Sequence, residues 1–370
     1  MEKNQVTKIL EELAHQNLVS IHEFFKTIKQ HRELLISPLL SALSSKDRHL
    51  RENAIWALRK FEVKEAFPLF FEIALRKDED PAVRISALGA FRSLDDQEFI
   101  CFVSRFVEKL KDEKLDVRVC AATALGHLGP RAASVVPDLI SIAQNSTEDS
   151  HLRLMTLWAL GKMGEKKAVA PLRKILGEVQ KNEYLCSMAL SSLGGLGASE
   201  AIPDFIQKLD SPLSQVRAEA AEALGRLKVQ EAVSLLIEIL AVEEDLLVKL
   251  KAISALGRIG LHSPMIEHLL REFLKDKNNF IRAQAAYALG QLEGDFNRET
   301  IVAELCQALE DEESSVRMNA ARGLALLAPH AKKALPQLSQ NMKNKNSLVR
   351  MAARLAIDKI DPTFIKYASA

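Results

Sequence analysis

"DVRVCAATALGHLGP", residues 116–130, decides how this chain folds, because the chain writes the same phrase about ten times. Its basic anchor, Arg118, is preceded by the branched apolar Val117 and followed by a small residue, Ala121, and a leucine, Leu125. The anchor recurs at Arg51, Arg84, Arg153, Arg217, Lys249, Arg282, Arg317 and Arg350, with Cys186 in the one remaining slot. Consecutive anchors stand 31 to 35 residues apart. That period is the signature of a solenoid, in which each unit is a helix pair too thin to bury its own apolar face without its neighbours. A chain of 370 residues would otherwise suggest two or three globular domains, and the repetition removes the need for separate cores.

The columns of the repeat say which face is inside. The slot before the anchor holds only leucine, valine or isoleucine, and the slot seven after it holds leucine, isoleucine or phenylalanine. At 100° per residue these positions fall in one helical sector, the core stripe of a helix. Three residues after the anchor the slot is alanine in every copy but one, Thr156. Small side chains there let neighbouring helices approach to the short end of the usual interaxial range, about 8 Å. Upstream of each such helix runs another apolar segment, often opened by proline, as in VPDLISIA at 136–143 and IPDFIQKL at 202–209. Proline is tolerated in a first helical turn, where its missing N–H has no partner to lose.

The best copies, DVRVCAATALGHLG, QVRAEAAEALGRL and FIRAQAAYALGQL, resemble HEAT repeats of the bacterial type related to phycobilisome lyases. The resemblance implies an all-α fold, a right-handed α-solenoid of about ten HEAT-like helix pairs over residues 34–361. Residues 1–33, which carry apolar stripes outside the repeat register, are expected to form an N-terminal helical cap, and 362–370 a short tail after Asp361-Pro362. Repeat five, YLCSMALSSLGGLG, departs most, since Cys186 replaces the arginine there and a bend is expected.

Composition narrows the function. Fifty basic residues against 49 acidic ones give a formal net charge of +1, which disfavours a dedicated nucleic-acid binder. Charges in the first ten residues, MEKNQVTKIL, break any secretory apolar stretch, and no run reaches the roughly 18 apolar residues of a membrane span. The expected compartment is the cytoplasm, with no membrane partner. Cys101, Cys120, Cys186 and Cys306 are far apart with no C-x-x-C, as suits reduced, packed thiols. The nine histidines include no H-E-x-x-H and no i, i+4 pair, so neither a metal nor another cofactor is expected. HEAT-repeat enzymes of the deoxyhypusine hydroxylase type hold iron with His-Glu pairs in their second helices. The comparable stretch here, RAEAAEALG, has Ala218 where histidine is needed, so the expected protein is not an enzyme.

Two groups of residues stand out as candidates. In HEAT families an acid ahead of the anchor forms a ladder with the arginines between adjacent units. The matching residues are Asp78 with Arg84, Asp112 with Arg118, Asp276 with Arg282 and Asp311 with Arg317. A phosphate-binding groove is the competing reading of the same arginines. The second group occupies the slots five and nine after the anchor, about 40° apart on the helix and away from the core stripe. The first of these mixes polarities, so it is read as exposed, and it contains Trp56, Trp158 and Tyr287. The second contains Lys60, Lys162, Arg226 and Arg258 and no acid. Either the rings only cover neighbouring helices or they form a binding surface with the cations one turn away. The expected function is a non-enzymatic scaffold or adaptor binding an extended, acidic segment of another protein on the concave face. A tetrapyrrole (bilin) lyase or chaperone subunit, and a nucleic-acid-binding HEAT-like protein, are the alternatives.

Overall fold

The computed structural model describes residues 31–179, 182–294 and 298–364, together with Ile9. The cap expected over 1–33 and the tail expected over 362–370 lie outside the described residues, except for Ile9, His31–Glu33 and Pro362–Phe364. No strand forms among the described residues, where one isolated bridge pairs Leu261 with Glu293. The fold is an all-α HEAT-repeat solenoid, and its contacts divide the chain between Glu178 and Val179 into two compact units.

Unit 1 contains α1 (Arg32–Ala42), α2 (Arg48–Lys60), α3 (Phe67–Leu75), α4 (Pro81–Ala90), α5 (Asp96–Lys109), α6 (Leu115–Leu128), α7 (Val136–Gln144), α8 (Ser150–Met163) and α9 (Val169–Glu178). Unit 2 contains α10 (Glu183–Gly195), α11 (Ile202–Lys208), α12 (Ser214–Arg226), α13 (Val233–Val242), α14 (Leu246–Ile259), α15 (Pro264–Phe273), α16 (Asn279–Gln291), α17 (Glu299–Ala308), α18 (Ser314–Leu326), α19 (Leu335–Asn341) and α20 (Ser347–Ile360). Even-numbered helices carry the anchors and are the second helices of their pairs. Within each unit they pack on one another in sequence, α6 on α8, α12 on α14 and α16 on α18, and each odd helix other than α9 lies against the next even one.

Local chemistry starts and stops these helices. The Asp47 carboxylate accepts from the His49 and Leu50 N–H groups at the head of α2, and Asp149, Asp245 and Asn346 do the same for α8, α14 and α20. Prolines 68, 137, 203 and 336 sit in the first turns of α3, α7, α11 and α19. The slots three and seven after the anchor are fully buried in all ten copies. The slot before the anchor is buried in eight, with Leu50 and Val117 only half-buried.

A column of glycines eight after the anchor sets how closely the second helices stack. A Cβ on Gly225 would stand 2.6 Å from the Ala255 Cα, and one on Gly257 2.8 Å from the Ala288 Cα. A Cβ on Gly290 would run into the backbone of Gly323. Gly290→Ala is therefore expected to lower stability by about 2 kcal/mol, overpacking outweighing the gain in helix propensity. Gly89→Ala meets nothing within 4 Å and should raise stability by about 0.5–1 kcal/mol. Thermal melts of the two variants should move in opposite directions. Equal shifts would mean that the glycines do not set the spacing.

Candidate interaction face of the second helices

The arginine column is built from two kinds of acceptor. Arg282 Nη1 donates to the carbonyls of Asp276 and Lys277, at 2.8 and 3.2 Å, in its own repeat. Its Nε and Nη2 donate to both carboxylate oxygens of Asp311, at 2.9 and 3.0 Å, in the next repeat. Arg217 repeats this arrangement on both carboxylate oxygens of Glu243, while Arg51 pairs with one oxygen of Glu79 and Arg118 with one of Glu148 through Nη2 alone. All three donate Nη1 to a carbonyl of their own repeat. These four rungs each join a repeat to the one that follows it, while Arg317 makes only the carbonyl contacts of its own repeat, and the expected partners need correction. Asp112 and Asp276 offer Arg118 and Arg282 their backbone carbonyls, not their carboxylates. Asp311 gives its carbonyl to Arg317 and its carboxylate to Arg282. Glu79 replaces Asp78 as the acid, and Arg84 leaves the column, since the Asp112 carboxylate accepts instead from Lys109 Nζ at 3.1 Å. The physical reason is direction: six residues ahead of the anchor the carbonyl of Asp112, Asp276 or Asp311 faces its own arginine, while the carboxylate points away from it. That of Asp311 points to Arg282 of the preceding repeat, that of Asp112 to Lys109 and that of Asp276 to the Asn278 N–H. Guanidiniums so engaged are not free for phosphate.

On the slots five and nine after the anchor, the two units differ. In unit 2 the expected exposed slot holds Glu222, which is buried at 5% exposure. Its carboxylate accepts from Arg258 Nη1 at 2.6 Å, Arg226 Nε at 3.0 Å and Lys251 Nζ at 3.4 Å. Burial pushes the Glu222 carboxyl up, and the Arg258 hydrogen bond with the charges of Lys251, Arg258 and Arg226 more than reverses this, holding it below the ordinary range. Arg226 and Arg258, expected to attract an acidic partner, are therefore already engaged by an acid of their own chain. They line a concavity of about 510 Å³, whose rim also carries the Lys228–Glu293 ion pair. Tyr287, on α16, is half-buried.

In unit 1 the face is cationic and aromatic. Trp56 and Trp158 are half-buried, with Lys60 Nζ 5.9 Å and Lys162 Nζ 5.8 Å from their ring centroids. Trp158 is less exposed than its mixed-polarity slot suggested, because its ring lies where Gly126 has no side chain. Its Cε3 would stand 2.8 Å from a Cβ there. The ring also meets His127 edge to face at 4.9 Å. Arg92 Nη2 reaches the His127 carbonyl at 3.4 Å. Burial, followed by the charges of Lys162, Arg92 and Arg84, pushes the His127 imidazole below its usual pKa, so the ring stays neutral near pH 7 in a positive field. Among the described residues no carboxylate pairs with Lys60, Arg92 or Lys162. No group of three His, Cys, Asp or Glu side chains suited to a metal occurs among the described residues.

Reasoning from columns missed Glu222 and Arg92, and it placed Arg84 in the ladder. Glu222 was legible in part, since Arg226 lies one turn on along the same helix, where an i, i+4 pair forms. Arg92 lies one residue outside the column of nine and had no signal of its own.

The model for HEAT repeats matches residues 36–102, 103–184, 178–257 and 270–358. The chain belongs to the HEAT-repeat family. The phycocyanobilin lyase subunit alpha of Nostoc sp. (strain PCC 7120) is 30% identical over 233 residues, 60% of this chain and 72% of that subunit. Among solved structures, the karyopherin Kap121p bound to the extreme C-terminus of the protein phosphatase Cdc14p matches with a TM-score of 0.48 and 16% identity. That match takes in 100% of this chain and 47% of Kap121p, so the chain spans about half the karyopherin's length. Human deoxyhypusine hydroxylase matches with a TM-score of 0.31 and 23% identity, over 74% of this chain and 99% of the hydroxylase. No helix among the described residues is long and apolar enough to cross a membrane.

Proposed function

We propose that the protein is a non-enzymatic scaffold whose second-helix face in unit 1 binds an extended, acidic segment of another protein. The observation that carries this reading is the row of cations without acids, Lys60, Arg92 and Lys162, set beside Trp56, His127 and Trp158. Aromatic rings and arginines are the residue types enriched at binding hot spots, and unpaired cations steer acidic partners. Trp56 and Trp158 lie three repeats apart, roughly 30 Å at about 10 Å per stacked pair, so one extended chain suits them better than one small molecule. The cations of unit 2, tied to Glu222, have a structural part instead.

The test is a titration of the partner, recovered by affinity capture from the native organism and then purified. Affinity should fall steeply as salt rises, and should survive replacement of both Arg226 and Arg258 by glutamine, although that variant should melt earlier. Salt-insensitive binding that disappears with Arg226 and Arg258 would contradict the assignment.

The kinship with a phycocyanobilin lyase subunit supports a second reading, a tetrapyrrole-handling subunit. On that reading the purified protein should take up a bilin with a change in its visible absorbance.

A further inference from the structure

Arg84 is the one ladder candidate whose guanidinium the ladder does not use. Its side chain makes one hydrogen bond among the described residues, from Nη1 to Cys120 Sγ at 3.5 Å. A thiol is a weak acceptor, so nearly all of the five guanidinium donors remain available to another group. The thiol supplies no counter-charge either. Burial pushes Cys120 up and Arg84 only partly offsets this, which keeps the sulfur protonated.

The guanidinium faces a pocket of about 220 Å³ in unit 1, lined by Arg84, Ile85 and Leu88 of α4 and by Cys120, Thr123 and His127 of α6. Its walls are largely aliphatic, and Ile85 is half exposed at the mouth. The volume is below the roughly 300–1,000 Å³ of drug-sized ligand sites, so it suits one side chain better than a cofactor. His127 connects the pocket to the face described above through its edge contact with Trp158. The same neutral imidazole feels Lys162, Arg92 and Arg84 together, so the pocket sits in a positive field that no acid among its lining residues offsets.

We propose that this pocket receives one carboxylate on an aliphatic stem from the partner, with Arg84 as the pairing group and Ile85 and Leu88 holding the stem. Such a carboxylate comes either from an internal glutamate or from the end of a chain. Arg84 and the fork geometry of a carboxylate match, and the charge-assisted pair forms where little water competes. The inference rests on the reading of unit 1 as the partner-binding face, and it adds a specific socket to it.

Trp56 and Trp158 are the only two tryptophans of the protein, so two indole N–H signals in an ¹⁵N-labelled full-length sample separate the pocket from the rest of the face. Three probes are needed. One is a ten-residue peptide alternating glutamate and leucine, blocked at both ends. The others are its glutamine counterpart, blocked and with a free C-terminal carboxylate. The glutamate peptide, the free-carboxylate peptide or both should shift the Trp158 signal saturably, the blocked glutamine peptide should not, and the responding probe identifies the source. Arg84→Gln should weaken that response about tenfold or more. Thr123→Leu, which fills the pocket and leaves Arg84 in place, should weaken it too and carries the test if Arg84→Gln does not fold. Wild-type affinity in both variants, with the indole signals still responding, would overturn the pocket while leaving the face reading standing. No response of either indole to any acidic probe would overturn both.

Discussion

Replacing Arg282 by alanine is expected to destabilise the protein by about 3 kcal/mol, the low end of the cost of breaking a buried ion pair. The value follows from what is left behind. Arg282 and Asp311 are 12% and 16% exposed, so the Asp311 carboxylate would lose its bidentate partner in a poorly hydrated place. The Asp276 and Lys277 carbonyls would lose a donor as well. The pair joins α16 to the loop ahead of α18, so its loss weakens an interface between neighbouring repeats, the term on which solenoid stability depends. The urea midpoint should fall, and a double-mutant cycle with Asp311→Ala should show strong coupling. An unchanged midpoint would contradict the ladder as a structural device.

The same rungs predict acid sensitivity. Burial pushes Asp311 up, but the Arg282 hydrogen bond, the Glu313 N–H and the charges of Arg282 and Arg317 hold its carboxyl below the ordinary range. At Glu243 burial is likewise outweighed, by the Arg217 hydrogen bond and neighbouring N–H groups. Both folded pKa values lie below the unfolded ones, about 3.9 for Asp and 4.3 for Glu. The stability they contribute is therefore complete above those values and is lost as pH falls through the folded ones. In Arg282→Ala the Asp311 share of this acid sensitivity should shrink.

The fold was legible because burial in a solenoid is periodic. Leu58 and Leu125, like their counterparts in every copy, are fully buried because the helical period and the repeat period both demand it. The ladder was legible in Arg118 and Arg282 and misread in its acids. A carboxylate six residues ahead is near its own arginine in sequence, but Asp311 reaches back to Arg282, and column spacing carries no record of which neighbour a side chain faces. The face itself was half legible. A slot of mixed polarity suggested exposure, whereas Trp158 fills the space over Gly126 and Glu222 is buried among three cations. One column therefore serves different ends in different repeats. Arg84 off the ladder could not be seen at all, since its difference lies in Lys109 occupying Asp112.

The second large effect concerns binding, and it tests the central claim most directly. Lys60 and Lys162 are exposed, so reversing both to glutamate should leave the melting temperature nearly unchanged, within about 0.5 kcal/mol per site. Each reversal sets a like charge against an acidic partner in place of an attraction. Two such changes beside desolvating aromatic rings should together cost about 3 kcal/mol of binding, close to a hundredfold in Kd. The decisive measurement is calorimetric titration of the purified partner into the wild type and into the Lys60→Glu, Lys162→Glu double variant at low salt. The account predicts a loss of about a hundredfold, shrinking as salt rises. Equal affinities for the two proteins, with both folded, would contradict it and place the binding surface elsewhere.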